Sequence, residues 1–193
     1  MAKRPFKRSS GSGNRVSVER ARGGAGWVLT HPRAIRDCAE DLEEVRAMIA
    51  AGEAEVAVDE LRWLVETCTD MIEAHYLLGK LAVESTGDLA LGRGHFGYGY
   101  QLGQRAIARA DHPTPLPALH PANRPFFDCG RGLAWCLAEL DKKEMALEVI
   151  EFLLRCDPSD PLGLGDWVDE IKTAGAPMVE LGGLIMPPKA NDE

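Results

Sequence analysis

The chain has 193 residues, of which 45% are hydrophobic, and a formal net charge of -8; that length suits one domain with a sizeable core. No apolar run approaches the ~18 residues of a membrane helix, and the start MAKRPFKRSS lacks the apolar stretch of a signal peptide. Membrane insertion and export are therefore not indicated, and a cytoplasmic protein is expected. The five cysteines, Cys38, Cys68, Cys129, Cys136 and Cys156, have neither disulfide-framework nor zinc-ribbon spacing. Reduced, packed thiols are the expectation.

Charge is unevenly distributed. Residues 1–22 carry Lys3, Arg4, Lys7, Arg8, Arg15, Arg20 and Arg22 against Glu19 alone, a balance of +6, which leaves -14 for the remainder. Residues 1–26 are poor in hydrophobes and rich in Gly, Ser, Arg and Lys, so they read as a disordered basic tail. An acidic body repels nucleic acid, and only residues 3–22 could touch it, weakly.

From Trp27 onward the chain reads as a helical domain extending to residue 176. Thr30 before His31-Pro32 suggests a cap, followed by a helix over residues 32–51 that Gly52 ends. A second helix over residues 52–68 places Val56, Ala57, Leu61, Leu64 and Val65 on one face. A third follows over residues 71–85, with a turn at Thr86-Gly87-Asp88. The fourth, over residues 89–110, carries Gly92, Gly94, Gly97, Gly99 and Gly103. Each glycine costs about 1 kcal/mol of helix propensity relative to Ala, so the pattern predicts either a closely packed, kinked helix or an irregular segment over residues 92–99. Residues 111–123, DHPTPLPALHPAN, hold four prolines and read as a long loop of the kind that is often functional.

The clearest pattern lies in RPFFDCGRGLAWCLAELDKKEMALEVIEFLLRCDPSD, residues 124–160. Two amphipathic helices meet at a turn over residues 140–143, and Pro158 stops the second. The first presents Phe127, Leu133, Ala134, Leu137 and Leu140; the second Met145, Ala146, Val149, Ile150, Leu153 and Leu154. Residues 162–171 form a short helix suited to capping this hairpin. In the tail, residues 177–193, the apolar run Leu184–Met186 is expected to lie against the body.

These residues resemble tetratricopeptide repeats, helix-turn-helix units of about 34 residues with small and apolar residues at fixed places. Gly52, Ala57, Leu61 and Leu64 match one unit. Leu78, Gly79, Ala82 and Gly87 match the next, and Leu133, Ala134, Ala146, Ile150, Leu153 and Pro158 match the last. From Ala57 to Ala146 is 89 positions, two repeat steps and about 21 residues more, which places an insertion at about residues 92–123. The chain departs from the motif at Gly130 and His75, where an aromatic is usual, and at Asp141, where the turn glycine is usual. The 124–160 segment also has a distant similarity to the repeat region of the suppressor-of-tumorigenicity family. The resemblance implies an all-α fold of antiparallel helix-turn-helix repeats, a solenoid of about three units with a Gly/Pro-rich insertion and a terminal capping helix.

It also implies that the first helix of each pair lines a concave groove. Mapped onto that face, Arg46, Glu73, Tyr76, Lys80, Glu84, Asp128, Arg131, Trp135 and Glu139 are the candidate protein-binding residues. Tyr76 and Trp135 are rigid apolar anchors for a peptide, and Lys80 and Arg131 are carboxylate partners. The expected function is therefore a non-enzymatic scaffold or adaptor for a protein or peptide partner. The carboxylate clamp of this family needs more Lys, Arg and Asn than Lys80, Arg131 and Arg46 supply. Homodimerisation would cover apolar ends at Trp27 or Leu184–Met186.

A second function class rests on the insertion, where His95, Phe96, Tyr98, Tyr100 and His120 form a candidate site for a small ligand or metal. No helical His pair or comparable ligand spacing accompanies them. Arg93-Gly94-His95-Phe96-Gly97 is no phosphate loop, since neither a preceding strand nor a Lys-Ser/Thr pair is present. No nucleophile with its base is apparent, and no metal or cofactor is expected. Nucleic-acid association through the basic tail is the third reading.

Overall fold

The computed structural model describes residues 15–24 and 26–173, together with the backbone of the strands Val179–Leu181 and Leu184–Met186. The body is all-α, with consecutive helices packed on one another. Two short antiparallel hairpins flank it. At the N-terminal side β1 (Ser17–Arg20) pairs with β2 (Trp27–Thr30), Val18 opposite Leu29. The helices follow as α1 (Arg33–Asp37), α2 (Ala39–Ala50), α3 (Ala54–Thr67), α4 (Ile72–Thr86), α5 (Leu89–Arg109), α6 (Arg124–Glu139), α7 (Lys143–Cys156) and α8 (Leu164–Thr173). At the other end β3 (Val179–Leu181) pairs with β4 (Leu184–Met186).

The first hairpin corrects the expectation of a disordered tail over residues 1–26, of which residues 1–14 lie outside the described residues. Val16, Val28 and Leu29 are buried, and β-branched residues favour the pleated surface they occupy. Gly23 and Gly24 take positive φ in the connecting turn. Thr30 does not cap a helix; its Oγ1 meets Ser17 Oγ at 2.7 Å across the two strands. The single helix expected over residues 32–51 is divided at Cys38. There the backbone N–H of Cys38 closes on Ile35 O at 3.2 Å, and α2 begins afresh. The placement of residues 184–186 against the body concerns side chains outside the described residues.

Helices α3, α5 and α7 carry the same buried places. Ala57, Leu61 and Leu64 in α3 correspond to Gly92, Phe96 and Gly99 in α5 and to Ala146, Ile150 and Leu153 in α7. Each set starts at the fourth residue of its helix. The connections α2–α3, α4–α5 and α6–α7 turn through Gly52, Gly87 and Asp141, all with positive φ. Asp141 thus adopts the left-handed backbone at the place where the other two turns have glycine. This conformation disfavours a Cβ, although Asp tolerates it better than most residues. Asp141 is exposed. Asp141→Gly is therefore expected to stabilise the fold by about 0.5–1 kcal/mol in urea denaturation, the gain being limited by the greater freedom of Gly in the unfolded chain.

α5 is 21 residues long, against 14 in α3 and in α7, and runs unbroken through its glycines. Packing explains three of them. A Cβ on Gly92 would stand 2.5 Å from Val83 Cγ2, one on Gly99 2.5 Å from Cys129 Sγ, and one on Gly103 2.8 Å from Phe126 Cε2. Close backbone approach to α4 and α6 therefore holds α5 in place and offsets its weak helix propensity. The loop over residues 111–123 is tied to both ends of the domain. Pro115 O accepts from Trp27 N at 2.9 Å, and Leu116 N donates to Cys156 O at 2.7 Å. Asp157 Oδ2 accepts from Ala118 N at 2.7 Å.

Candidate interaction surfaces

Alternate helices α2, α4 and α6, with α8 beside them, share one face. At its N-terminal end Arg46 of α2 bonds to Glu43 on its own helix and to Glu73 on α4. Further along α4, Lys80 and Glu84 pair at 3.6 Å. On α6, Asp128 accepts from Arg124 Nε at 2.9 Å and lies 3.6 Å from Arg131. The Arg131 guanidinium also stands 5.5 Å from the centre of the Trp167 ring on α8, a cation–π contact.

Tyr76 lies between these charges, partly buried and packed against both hydrophobic clusters of the molecule. Burial, reinforced by Asp128, pushes its phenol well above the ordinary value, so it is a neutral hydroxyl on an aromatic surface. Burial also raises the carboxyls of Glu84 and Asp128, against the opposing pull of Lys80 and of Arg124 respectively. The Oε1 atom of Glu84 is buried and stands 3.6 Å from Lys80 Nζ.

Arg46 lies on α2, Glu73, Tyr76, Lys80 and Glu84 on α4, and Asp128 and Arg131 on α6, joined by the pairs just described. Glu139 is half-buried near the end of α6. Trp135 is a correction: it is 2% exposed and belongs to the buried cluster that includes Leu164, Trp167 and Ile171 of α8. α8 places Trp167 against Arg131, and that ring is buried too, at 7% exposed. Its amphipathic pattern was readable, but which of its side chains meets Arg131 depends on how the helix docks.

The candidate insertion site is not assembled. Phe96 and Tyr100 are 0% and 5% exposed and serve the core, Tyr100 stacking on Phe126 with centroids 5.6 Å apart. His95 and Tyr98 instead face α4, where His75 lies 6.0 Å from His95 and 4.5 Å from Tyr98 between ring centroids. Burial lowers the pKa of both His75 and His95, so both imidazoles favour the neutral form. His120 is exposed on the loop, its Nδ1 accepting from Ala122 N at 3.2 Å. Among the described residues, no group of three or more His, Cys, Asp or Glu side chains could hold a metal ion. No helix among them is long and apolar enough to cross a membrane.

All five cysteines are free and buried. Burial raises the thiols of Cys136 and Cys156 to about 12. Such thiols are poor sources of thiolate at neutral pH.

A second surface was not anticipated. A cleft of about 660 Å³ opens between α5 and α7, with Leu133 and Leu137 of α6 among its lining residues. Arg93, Gly94, Gly97, Tyr98, Tyr100, Gln101 and Gln104 form the α5 wall, which brings together two of the candidate insertion residues, Tyr98 and Tyr100, and Met145, Glu148, Val149, Glu151, Phe152 and Arg155 form the α7 wall. On α6, Leu133 and Leu137 lie about half a helical turn round from Asp128 and Arg131, so the cleft and the charged face are on opposite sides. The signal available in the sequence was the pair Gly94 and Gly97 beside Tyr98.

No protein-family model matches the chain, and neither a curated protein nor a solved structure does.

Proposed function

We propose that the protein is a non-enzymatic adaptor built from three degenerate tetratricopeptide-like helix pairs, α2–α3, α4–α5 and α6–α7, with α8 as their cap. Three matching sets of small and apolar residues in α3, α5 and α7 support this reading, as do the positive-φ turns within the pairs. The partner is an extended protein segment lying over the α2, α4, α6 and α8 face. The observation that carries this reading is Tyr76, an aromatic side chain set among the Lys80–Glu84 and Asp128–Arg131 ion pairs. An apolar side chain of the partner would cover Tyr76 while its polar groups meet the surrounding charges. Because Lys80 and Asp128 already pair with Glu84 and with Arg124 respectively, the partner gains affinity from shape and hydrogen bonding more than from a net charge of one sign.

Selection from a displayed random-peptide library tests this directly. Enriched peptides should lose at least about tenfold in affinity for Tyr76→Ala and for Glu84→Gln, with helical circular dichroism unchanged. Failure to enrich any peptide, or enrichment insensitive to both substitutions, would refute the reading.

A further inference from the structure

We infer that the outward face of α3 is an interaction surface for a basic segment bearing one aromatic residue, and that residues 3–8 of the same chain, KRPFKR, occupy it. α3 buries Ala57, Leu61 and Leu64 and turns its other side outward. Val56 and Trp63, seven residues apart, fall on one outward stripe about 10 Å apart along the axis. Val56 is 51% exposed, and Trp63 is only partly buried against the core. By helical rotation Glu60 borders this stripe on one side, and Asp59 and Glu66 border it on the other. Arg62 is the one basic residue of α3, against Glu55, Asp59, Glu60 and Glu66, and it lies 3.3 Å from Asp59. The surface is an apolar strip with a carboxylate border.

A surface of that composition repels acidic segments and favours cations set around an apolar group. The chain supplies such a segment. Lys3 and Arg4 precede Pro5-Phe6, and Lys7 and Arg8 follow it. Phe6 covers the strip between Val56 and Trp63 while the four cations meet the carboxylates, and a cation over the Trp63 indole adds cation–π attraction.

The place where the basic arm joins the body puts it within reach. Val16 is 1% exposed, and its N–H donates to Asp70 Oδ2 at 3.3 Å, just after the end of α3. Its carbonyl accepts from Arg109 Nη2 at 2.9 Å. Phe6 precedes Val16 by ten positions, a length of chain that spans up to ~33 Å when extended. From the C-cap Cys68 back to Val56 is twelve residues, about 18 Å of helix. The arm therefore reaches the whole stripe with slack. Residues 9–14, SSGSGN, which make the connection, carry neither a charge nor a large apolar side chain to direct it elsewhere. A tether of this length holds the arm at an effective concentration in the millimolar range, which favours it over the same segment of a second copy. α3 lies outside the α2, α4, α6 and α8 face, so the inference is independent of the peptide-binding reading. Docking acts on the arm itself, whose cations are then withheld from polyanions.

Paramagnetic relaxation in the full chain tests the inference. Ala2→Cys supplies one accessible thiol for a nitroxide, since the five native thiols are buried. The label should broaden the amide signals of α3 around Val56 to Trp63 more than those of α7 or α8. Raising the ionic strength to about 1 M, where the Debye length is ~3 Å, should remove most of that difference. Phe6→Ala should weaken docking roughly tenfold, and Lys7→Glu with Arg8→Glu roughly fivefold. Adding Glu60→Lys and Glu66→Lys should recover most of the second loss and none of the first, an ion-pair signature that a structural defect would not give. Broadening spread evenly over the surface overturns the inference, as does broadening on α3 that is indifferent to Phe6→Ala and to charge reversal. Broadening of an isotope-labelled chain by a nitroxide on a second, unlabelled chain also overturns it, since the stripe would then belong to the arm of another copy.

Discussion

Asn123→Ala is expected to lower the unfolding free energy by about 3 kcal/mol, because it leaves Leu29 N and Trp27 O without partners at ~1–3 kcal/mol each, while Pro117 O keeps its bond from His120 N. Asn123 is fully buried just before α6. Its Oδ1 accepts from Leu29 N at 2.8 Å, and its Nδ2 donates to Trp27 O at 3.1 Å and to Pro117 O at 2.9 Å. One amide thereby joins β2, the proline-rich loop and the start of α6, segments up to 96 positions apart. Both functions of the amide are needed. Asn123→Asp keeps the acceptor but places a carboxylate against two carbonyl oxygens, and it should be no milder than Ala. Urea denaturation gives the magnitude. Limited proteolysis of the variant should show cleavage within residues 17–30 before cleavage within α4–α7. A loss below about 1 kcal/mol would mean that solvent or local rearrangement replaces these bonds.

The second large effect is on α5, where two glycine substitutions should act in opposite directions. Gly103→Ala drives a methyl into the Phe126 ring, 2.8 Å from Cε2. Phe126 is fully buried between Tyr100 and Phe127, whose rings lie 5.6 and 5.3 Å from its own. The ring cannot withdraw without disturbing both neighbours, so overpacking should cost about 3 kcal/mol. Gly94→Ala gains the helix propensity of alanine with no contact to offend and should stabilise by roughly 1 kcal/mol. Thermal denaturation of the two variants separates a glycine required by packing from one that is not. Equal effects would contradict the packing of α5 between α4 and α6.

The all-α body was legible because its signals are local. The periodicity of α7, Met145 to Leu154, depends only on spacing along one helix, and Gly52, Gly87 and Asp141 mark turns through backbone sterics of single residues. The 89-position interval between Ala57 and Ala146 likewise located the lengthened α5 and the loop after it. That Glu73, Tyr76, Lys80 and Glu84 follow one stripe of α4 was also legible, since it depends on helical spacing alone. Trp135 was assigned to the open face because its helical position points that way; that it is buried in the core depends on how the neighbouring elements pack, which no local pattern encodes.

Tertiary contact decided the rest. The β1–β2 hairpin is held by distant partners, Leu29 N on Asn123, 94 positions away, Trp27 N on Pro115 O and Val16 O on Arg109, since an isolated two-stranded ribbon of this size has little stability alone. The five glycines of α5 look alike in sequence, yet Phe126, Cys129 and Val83 require three of them while two open onto solvent. Periodicity reveals which face of a helix is apolar, because every residue carries its own hydrophobicity. It does not reveal which neighbour covers that face, because this depends on atoms brought together from distant parts of the chain.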